Sequence, residues 1–318
     1  MKPATTGPSV AERFEGCLLG LAVGDALGGR FEGMSAGGVR GHCPTVADLM
    51  DHPQDELWYT DDTQMAIGVA ETLAAHGEIV EEHLCAAFVA NYEPFRGYGW
   101  GTRLLLETMQ EGRDHRAVAR QHLPGGSYGN GAAMRVAPVG LVFGDHPERL
   151  CEQARRSAMT THTHPLGVDG ARVLALAVGQ ACRATAFDRD AFFDRLLRAC
   201  ESEEFRARLG AAARATTADD LAALGNGIAA LDSVPTAIAS FALAPYSYEE
   251  AIGRVILLGG DTDTMAAMAG ALAGAHLGVR ALPSRLVDLL EDGPKGRTYI
   301  RQLAARLAQA GGQPAAGP

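Results

Sequence analysis

No CxxC pair occurs among the six cysteines (Cys17, Cys43, Cys85, Cys151, Cys182 and Cys200), so the chain encodes neither a zinc ribbon nor a redox dithiol. Their scatter fits a reducing cytoplasm. No run of about 18 apolar residues exists, which excludes a membrane-spanning helix. Residues 1–15 include Glu12, Arg13 and Glu15 and lack the apolar centre of a signal peptide. We expect a cytoplasmic protein without membrane contact. Positive charge is also short: 28 Lys and Arg against 38 Asp and Glu leave a formal charge of −10. No general basic surface attracts nucleic acid, and an anionic ligand needs a local site. Aromatic residues make up 6% of the chain, and few stretches alternate with period two, so strands are hard to place. The expectation is one all-α domain over residues 1–308 and a disordered tail, QAGGQPAAGP, over 309–318.

Glycine, by contrast, is abundant, with 39 of 318 residues. Gly16, Gly20, Gly24 and Gly28 recur every fourth residue in GCLLGLAVGDALGG. Each costs a helix interior about 0.5–1 kcal/mol relative to alanine. Four-residue spacing puts them on one stripe, where a second helix backbone can approach closely. Glu32 follows this helix in the turn GGRFEG, where a solvated loop acid is the ordinary reading.

Acids stand at the starts of two core helices. In GGDTDTMAAMAGALAGAHLG, Asp261 and Asp263 lead into a helix that is apolar all round and therefore buried, with Thr262 and Thr264 as capping candidates. Some 200 residues earlier Thr60, Asp61, Asp62 and Thr63 precede Met65–Ala70 and a helix that ends near Gly77. Each cluster alone reads as an N-cap favoured by the helix dipole. Brought together, the four carboxylates would raise one another's pKa values or demand a cation. Oxygen ligands of this kind suit Mg²⁺ or Mn²⁺ and not Zn²⁺.

Two glycine-rich loops, RGYGWG and GGSYGNG, interrupt helical pattern and run toward helices, a geometry that offers backbone N–H groups to a phosphate. Tyr98, Trp100 and Tyr128 in them are candidates for a ring stacked on a ligand base. The pair His162 and His164 lacks a third zinc ligand, so a histidine hydrogen-bonded to phosphate or ribose is the better reading. Residues 188–221 are charged with helical periodicity and suit outer helices.

With these motifs in view, the chain resembles the ADP-ribosylglycohydrolase family. The resemblance runs over roughly residues 12–305 through GCLLGLAVGDALGG, YTDDTQMAIGVAETL, RGYGWG, GSYGNGAAMRVAPVG, LGNGIAALDSVPTAI and GGDTDTMAAMAGALAGAHLG, in that order. RGYG, GSYGNG and GNGIAA look most like the type-3 ADP-ribosylhydrolases. The resemblance implies an all-α orthogonal bundle and a hydrolase acting on serine-linked ADP-ribose, O-acetyl-ADP-ribose or poly(ADP-ribose). The alternatives are an arginine-directed ADP-ribosylhydrolase and a non-catalytic ADP-ribose-binding protein. It further implies two Mg²⁺ or Mn²⁺ ions held by Thr60, Asp61, Asp62, Asp261, Asp263 and Thr264. Glu32 matches the family's catalytic glutamate, acting together with Asp62 and Asp263. Gly97, Tyr98, Gly99 and Gly101, with Gly126, Ser127, Tyr128, Gly129 and Asn130, would hold the diphosphate and distal ribose. His162 would lie near them, and Asn226 and Ile228 would border the adenosine. His122 or Leu123 stands where type-3 relatives have a phenylalanine against the adenine. The expected partners are ADP-ribose and its protein or small-molecule conjugates, met by a monomer.

Overall fold

The structure, a computed structural model, describes residues 7–311. Eighteen α-helices and three 3₁₀ turns lie among the described residues, with only isolated β-bridges and no strand, as an all-α chain requires. The first helix, Val10–Gly28, opens on a capping box in which Ser9 accepts from the Glu12 N–H and Glu12 answers to Ser9. Its glycine stripe meets the helix Thr262–Leu277, backbone against backbone. A Cβ added at Gly16 would fall 2.5 Å from the Gly274 carbonyl oxygen, and one at Gly28 would fall 2.4 Å from that of Thr262. The pairing is antiparallel, so the end of the first helix lies beside the start of the other. That register brings the Glu32 turn to the Asp261 turn.

Every residue from Thr262 to His276 is buried, as an all-round apolar helix must be. The expected threonine caps are replaced: Asp261 occupies the N-cap position without a side-chain cap bond. Thr262 instead donates to the Gly28 carbonyl at 2.8 Å, and Thr264 donates to Asp62 Oδ2 at 3.2 Å. Both hydroxyls therefore tie the helix start to its neighbours. Thr60 does cap its own helix, Asp61–His76, which stops at Gly77 in the left-handed conformation (φ 72°).

The charged helices Arg189–Ala199, Glu203–Arg214 and Ala218–Leu224 form an outer layer, burying only one face each through Phe192, Phe193, Leu196, Phe205, Leu209 and Leu221. Among the described residues no helix is long and apolar enough to cross a membrane. The last helix, Arg297–Gly311, runs past the expected start of the tail at 309, and residues 312–318 lie outside the described residues.

Candidate active site

Asp25, on the first helix, organises one side of the site. It is fully buried, and it accepts from the Thr60 hydroxyl at 2.7 Å, from the Thr60 and Thr63 backbone N–H groups and from the Thr63 hydroxyl. Those bonds fix the first turn of Asp61–His76, and with it the directions of Asp61 and Asp62. Arg96 locks the approach to the same turn by pairing with Glu291 and donating to the Tyr59 carbonyl at 2.8 Å.

On the other side, the turn Gly259–Asp261 is held by Asn226. Its side-chain amide donates to the carbonyls of Leu258 and Gly259, and the Asn226 backbone carbonyl accepts from the Asp261 N–H at 2.8 Å. Gly259 and Gly260 take φ of 66° and 79°, which a residue with a Cβ adopts only under strain. The Glu32 turn is stitched to this one, Gly260 N–H donating to Met34 O and Gly33 N–H to Gly260 O. Asn130 donates to Asp261 Oδ2 and to Ser233, and so orients the carboxylate from a third element.

These parts enclose a cleft of about 360 Å³ lined by Glu32, Asp61, Asp62, Asp261, Asp263 and Thr264, with Gly97, Gly99, Gly101, Ser127, Gly129, Asn130, His162 and Ile228 on its other walls. The two aspartate pairs, distant in sequence, do meet. Trp100 and Thr102 also face the cleft, at the start of the helix Trp100–Gln110, whose first turn has no side-chain cap. A bridge between Gly129 and Ala229, with Ala230 N–H donating to Tyr128 O, holds the second loop against Ile228. A larger hollow of about 700 Å³ around Arg172 and Leu176 contains none of these residues.

Other expected residues stand elsewhere. Tyr98 is buried and donates its hydroxyl to Gln64, so its ring is not free to stack on a ligand. Gly126 packs against Thr163 and His164 behind the loop. Tyr128 is 59% exposed with its edge on His164, away from the cleft lining. Asn226 spends its amide on the aspartate turn and braces the site without lining the cleft. Thr60 sits behind the cleft wall, bonded to Asp25. The exposed ring that does face the cleft is Trp100, edge-on to His122, while Leu123 packs at Gly101.

The site gathers carboxylates without an ion-pair partner. None of the ion pairs among the described residues engages Asp25, Glu32, Asp61, Asp62, Asp261 or Asp263. Burial, then the neighbouring carboxylates, pushes Asp61 and Asp62 well above the usual range and Asp263 to about 7. Burial likewise raises Asp25 to about 7. Glu32 is raised by partial burial and by Asp263. Asp62 Oδ1 is buried with no hydrogen-bond partner, an orphaned acceptor among oxygen donors alone. A hard divalent ion fits that donor set.

The sequence of the ADP-ribosylglycohydrolase family matches residues 6–316. The chain belongs to that family. It is 36% identical to "ADP-ribosylhydrolase ARH3" of Xenopus tropicalis over 85% of this chain and 89% of the relative. Against the "ADP-ribosyl-[dinitrogen reductase] glycohydrolase" of Rhodospirillum rubrum it is 30% identical over 96% of this chain and 99% of the relative. A solved "ADP-ribosylglycohydrolase-related protein complex" superposes with a TM-score of 0.71 at 29% identity, covering 95% of this chain and 99% of the other. As a member of the ADP-ribosylglycohydrolase family, the protein is an ADP-ribosylhydrolase, a glycohydrolase that cleaves an ADP-ribose linkage.

Asp25, the Arg96–Glu291 pair and Arg135 had no place among the residues expected from sequence. Asp25 carried a signal, an acid within an otherwise apolar glycine-striped helix. Arg96 and Arg135 carried only their positions inside the two glycine motifs.

Proposed function

We propose that this cleft hydrolyses O-linked ADP-ribose, with serine-linked ADP-ribose, O-acetyl-ADP-ribose or poly(ADP-ribose) as the substrate class. The observation that carries the reading is the meeting of Asp61–Asp62 with Asp261–Asp263, beside Glu32 and without a protein cation. Asp61, Asp62, Asp261, Asp263 and Thr264 would hold two Mg²⁺ or Mn²⁺ ions, with Thr60 supporting their turn from behind the wall through its bond to Asp25. Such ions, when bound, supply electrostatic stabilisation of ribose oxygens and of a water.

The chain's own residues account for the rest. The uncapped first turn at Trp100, Gly101 and Thr102 presents N–H groups to an anion, and the diphosphate is the anion at hand. Ser127, Gly129 and Asn130 face the same space and receive the distal ribose. The flat ring of Trp100 and the side chain of Ile228, both exposed, border the adenosine end. Hydrolysis breaks the bond from the anomeric carbon to the acceptor oxygen, which takes up a proton, while a water oxygen bonds to that carbon and releases one. Glu32, outside both aspartate pairs and open to the cleft, carries one of those two proton transfers. Partial burial and the Asp263 charge raise its pKa, which favours its proton-bearing form.

The test is a side-by-side assay of the Mg²⁺-supplemented protein on serine-linked, arginine-linked and O-acetyl ADP-ribose conjugates. Release of ADP-ribose from the first and third is expected. Turnover confined to the arginine conjugate would overturn the O-linked reading in favour of an arginine-directed enzyme.

A further inference from the structure

Behind the cleft wall lies a buried arginine without an acidic partner. Arg135 is 0% exposed and makes no ion pair among the described residues. Burial lowers its pKa only to about 10, so it stays charged at neutral pH. Its guanidinium lies 4.9 Å from the Phe88 ring centre, and Nη2 donates to Ser157 O at 2.7 Å, Thr160 Oγ1 at 3.1 Å and Thr161 Oγ1 at 2.9 Å. Thr161 Oγ1 in turn lies 2.7 Å from His162 Nδ1. The ring of His162 reaches the cleft beneath the Gly129–Gly131 turn, where a Cβ on Gly131 would stand 3.0 Å from Nε2.

One arrangement of protons satisfies every donor among these contacts. A guanidinium has no acceptor, so the Arg135–Thr161 bond can run only with the threonine oxygen accepting. The threonine oxygen has a second lone pair, but its own hydroxyl proton finds no other acceptor among the described residues than Nδ1 of His162, and a donated Nδ1–H would leave that buried hydroxyl unpaired. Nδ1 is therefore bare and the ring proton sits on Nε2, on the side of the Gly129–Gly131 turn that lines the cleft. Burial and the Arg135 charge together hold the ring's pKa at about 3, so it does not take a second proton in the working range.

We propose that Arg135 and Thr161 are positioning residues that fix His162 as a neutral Nε2–H donor, so that the ligand atom opposite it is an acceptor oxygen of the diphosphate or of the distal ribose. His162 thus binds and does not act as a general base. The ligand half of this statement rests on the ADP-ribose reading of the cleft, whereas the tautomer does not.

The experiment uses the full chain labelled with ¹⁵N-histidine, with His162 assigned by the signal lost in His162→Gln. Long-range ¹H–¹⁵N correlation is expected to give a protonated Nε2 and a bare Nδ1 for His162 in the wild type and in Thr161→Ser, and a mixture of tautomers in Thr161→Val. Calorimetry with ADP-ribose and with ADP reads the consequence. Thr161→Val should bind ADP-ribose about tenfold more weakly, raise KM accordingly and keep kcat, while Thr161→Ser restores both. An equal loss with ADP assigns the donor to the diphosphate, and a loss with ADP-ribose alone assigns it to the distal ribose. A wild-type ring protonated on Nδ1, or unchanged binding in a Thr161→Val protein whose tautomers have mixed, overturns the proposal. Failure of the wild type to bind ADP-ribose while Nε2–H is intact would instead count against the function proposed for the cleft. Should Thr161→Val not fold, the wild-type and serine-variant spectra still decide the tautomer.

Discussion

Glu32 and His162 face the same cleft with opposite chemical demands. In the proposed reaction Glu32, open to the cleft, exchanges a proton, and His162, buried, keeps one in place. Removing the carboxylate should therefore cost chemistry and not affinity. In Glu32→Gln we expect turnover to fall about 10² to 10⁴-fold, the usual worth of a general acid or base, with ADP-ribose affinity by calorimetry close to that of the wild type. Parallel loss of binding and turnover would make Glu32 a structural residue. For His162 the expectation concerns stability and pH. The folded ring protonates only near pH 3 and the unfolded ring near 6.5, so below 6.5 the unfolded chain binds the extra proton. Its contribution to stability is complete above pH 6.5 and is lost as the pH falls toward 3. His276 is depressed in the same sense by burial and remains in a His162→Gln variant. The thermal midpoint of that variant should consequently fall less steeply between pH 7 and 5 than the wild type's. Matching slopes would place the His162 ring in water.

The decisive element is the antiparallel pair Val10–Gly28 and Thr262–Leu277. Gly274 is where it is tightest: a Cβ there would sit 1.9 Å from the Gly16 carbonyl oxygen, a backbone atom that cannot swing aside. Gly274→Ala must push the helices apart, and overpacking of a close-packed contact costs about 1–3 kcal/mol. We expect a clear drop in thermal midpoint, and weaker turnover as the Glu32 and Asp261 turns separate. Gly41→Ala makes the control, since nothing lies within 4 Å of its added methyl and its helix can only gain in propensity. A midpoint for Gly274→Ala no lower than that control's would mean that the glycine stripe does not set the helix separation.

At the scale of the molecule, the fold gathers acids that repel one another, and the proposed divalent ions would relieve that repulsion. Mg²⁺ or Mn²⁺ should raise the thermal midpoint and chelator should lower it, by the mass-action gain of a ligand that binds only the native state. An unmoved midpoint in saturating EDTA would leave the aspartates without a metal role. The same shared site predicts how mutations combine. Asp62→Ala and Asp263→Ala should each abolish most turnover with the helical circular dichroism intact, and the double variant should be scarcely worse than either, as for groups that work as a unit. Two independent caps would instead each cost about 0.5–2 kcal/mol of stability and add.

What the sequence determined by itself is local. Helical periodicity, the scarcity of alternating stretches and the caps at Thr60 and Gly77 fix where helices begin and end, because backbone hydrogen bonds within a helix span only four residues. The four-residue glycine spacing likewise announces a close helix contact, and the acid-first helix starts announce a place for charge. The tertiary structure decided what meets what. Asp25 is tied to Thr60 and Thr63, Thr264 to Asp62, and Asn226 to the turn at Asp261. None of those bonds leaves a trace in periodicity, since side chains far apart in the chain find each other only after the core has closed. Tyr98 and Asn226 show the converse: polar groups in glycine loops that look free for a ligand are claimed by the protein, because a buried hydroxyl or amide must find a partner and the nearest one is its own fold.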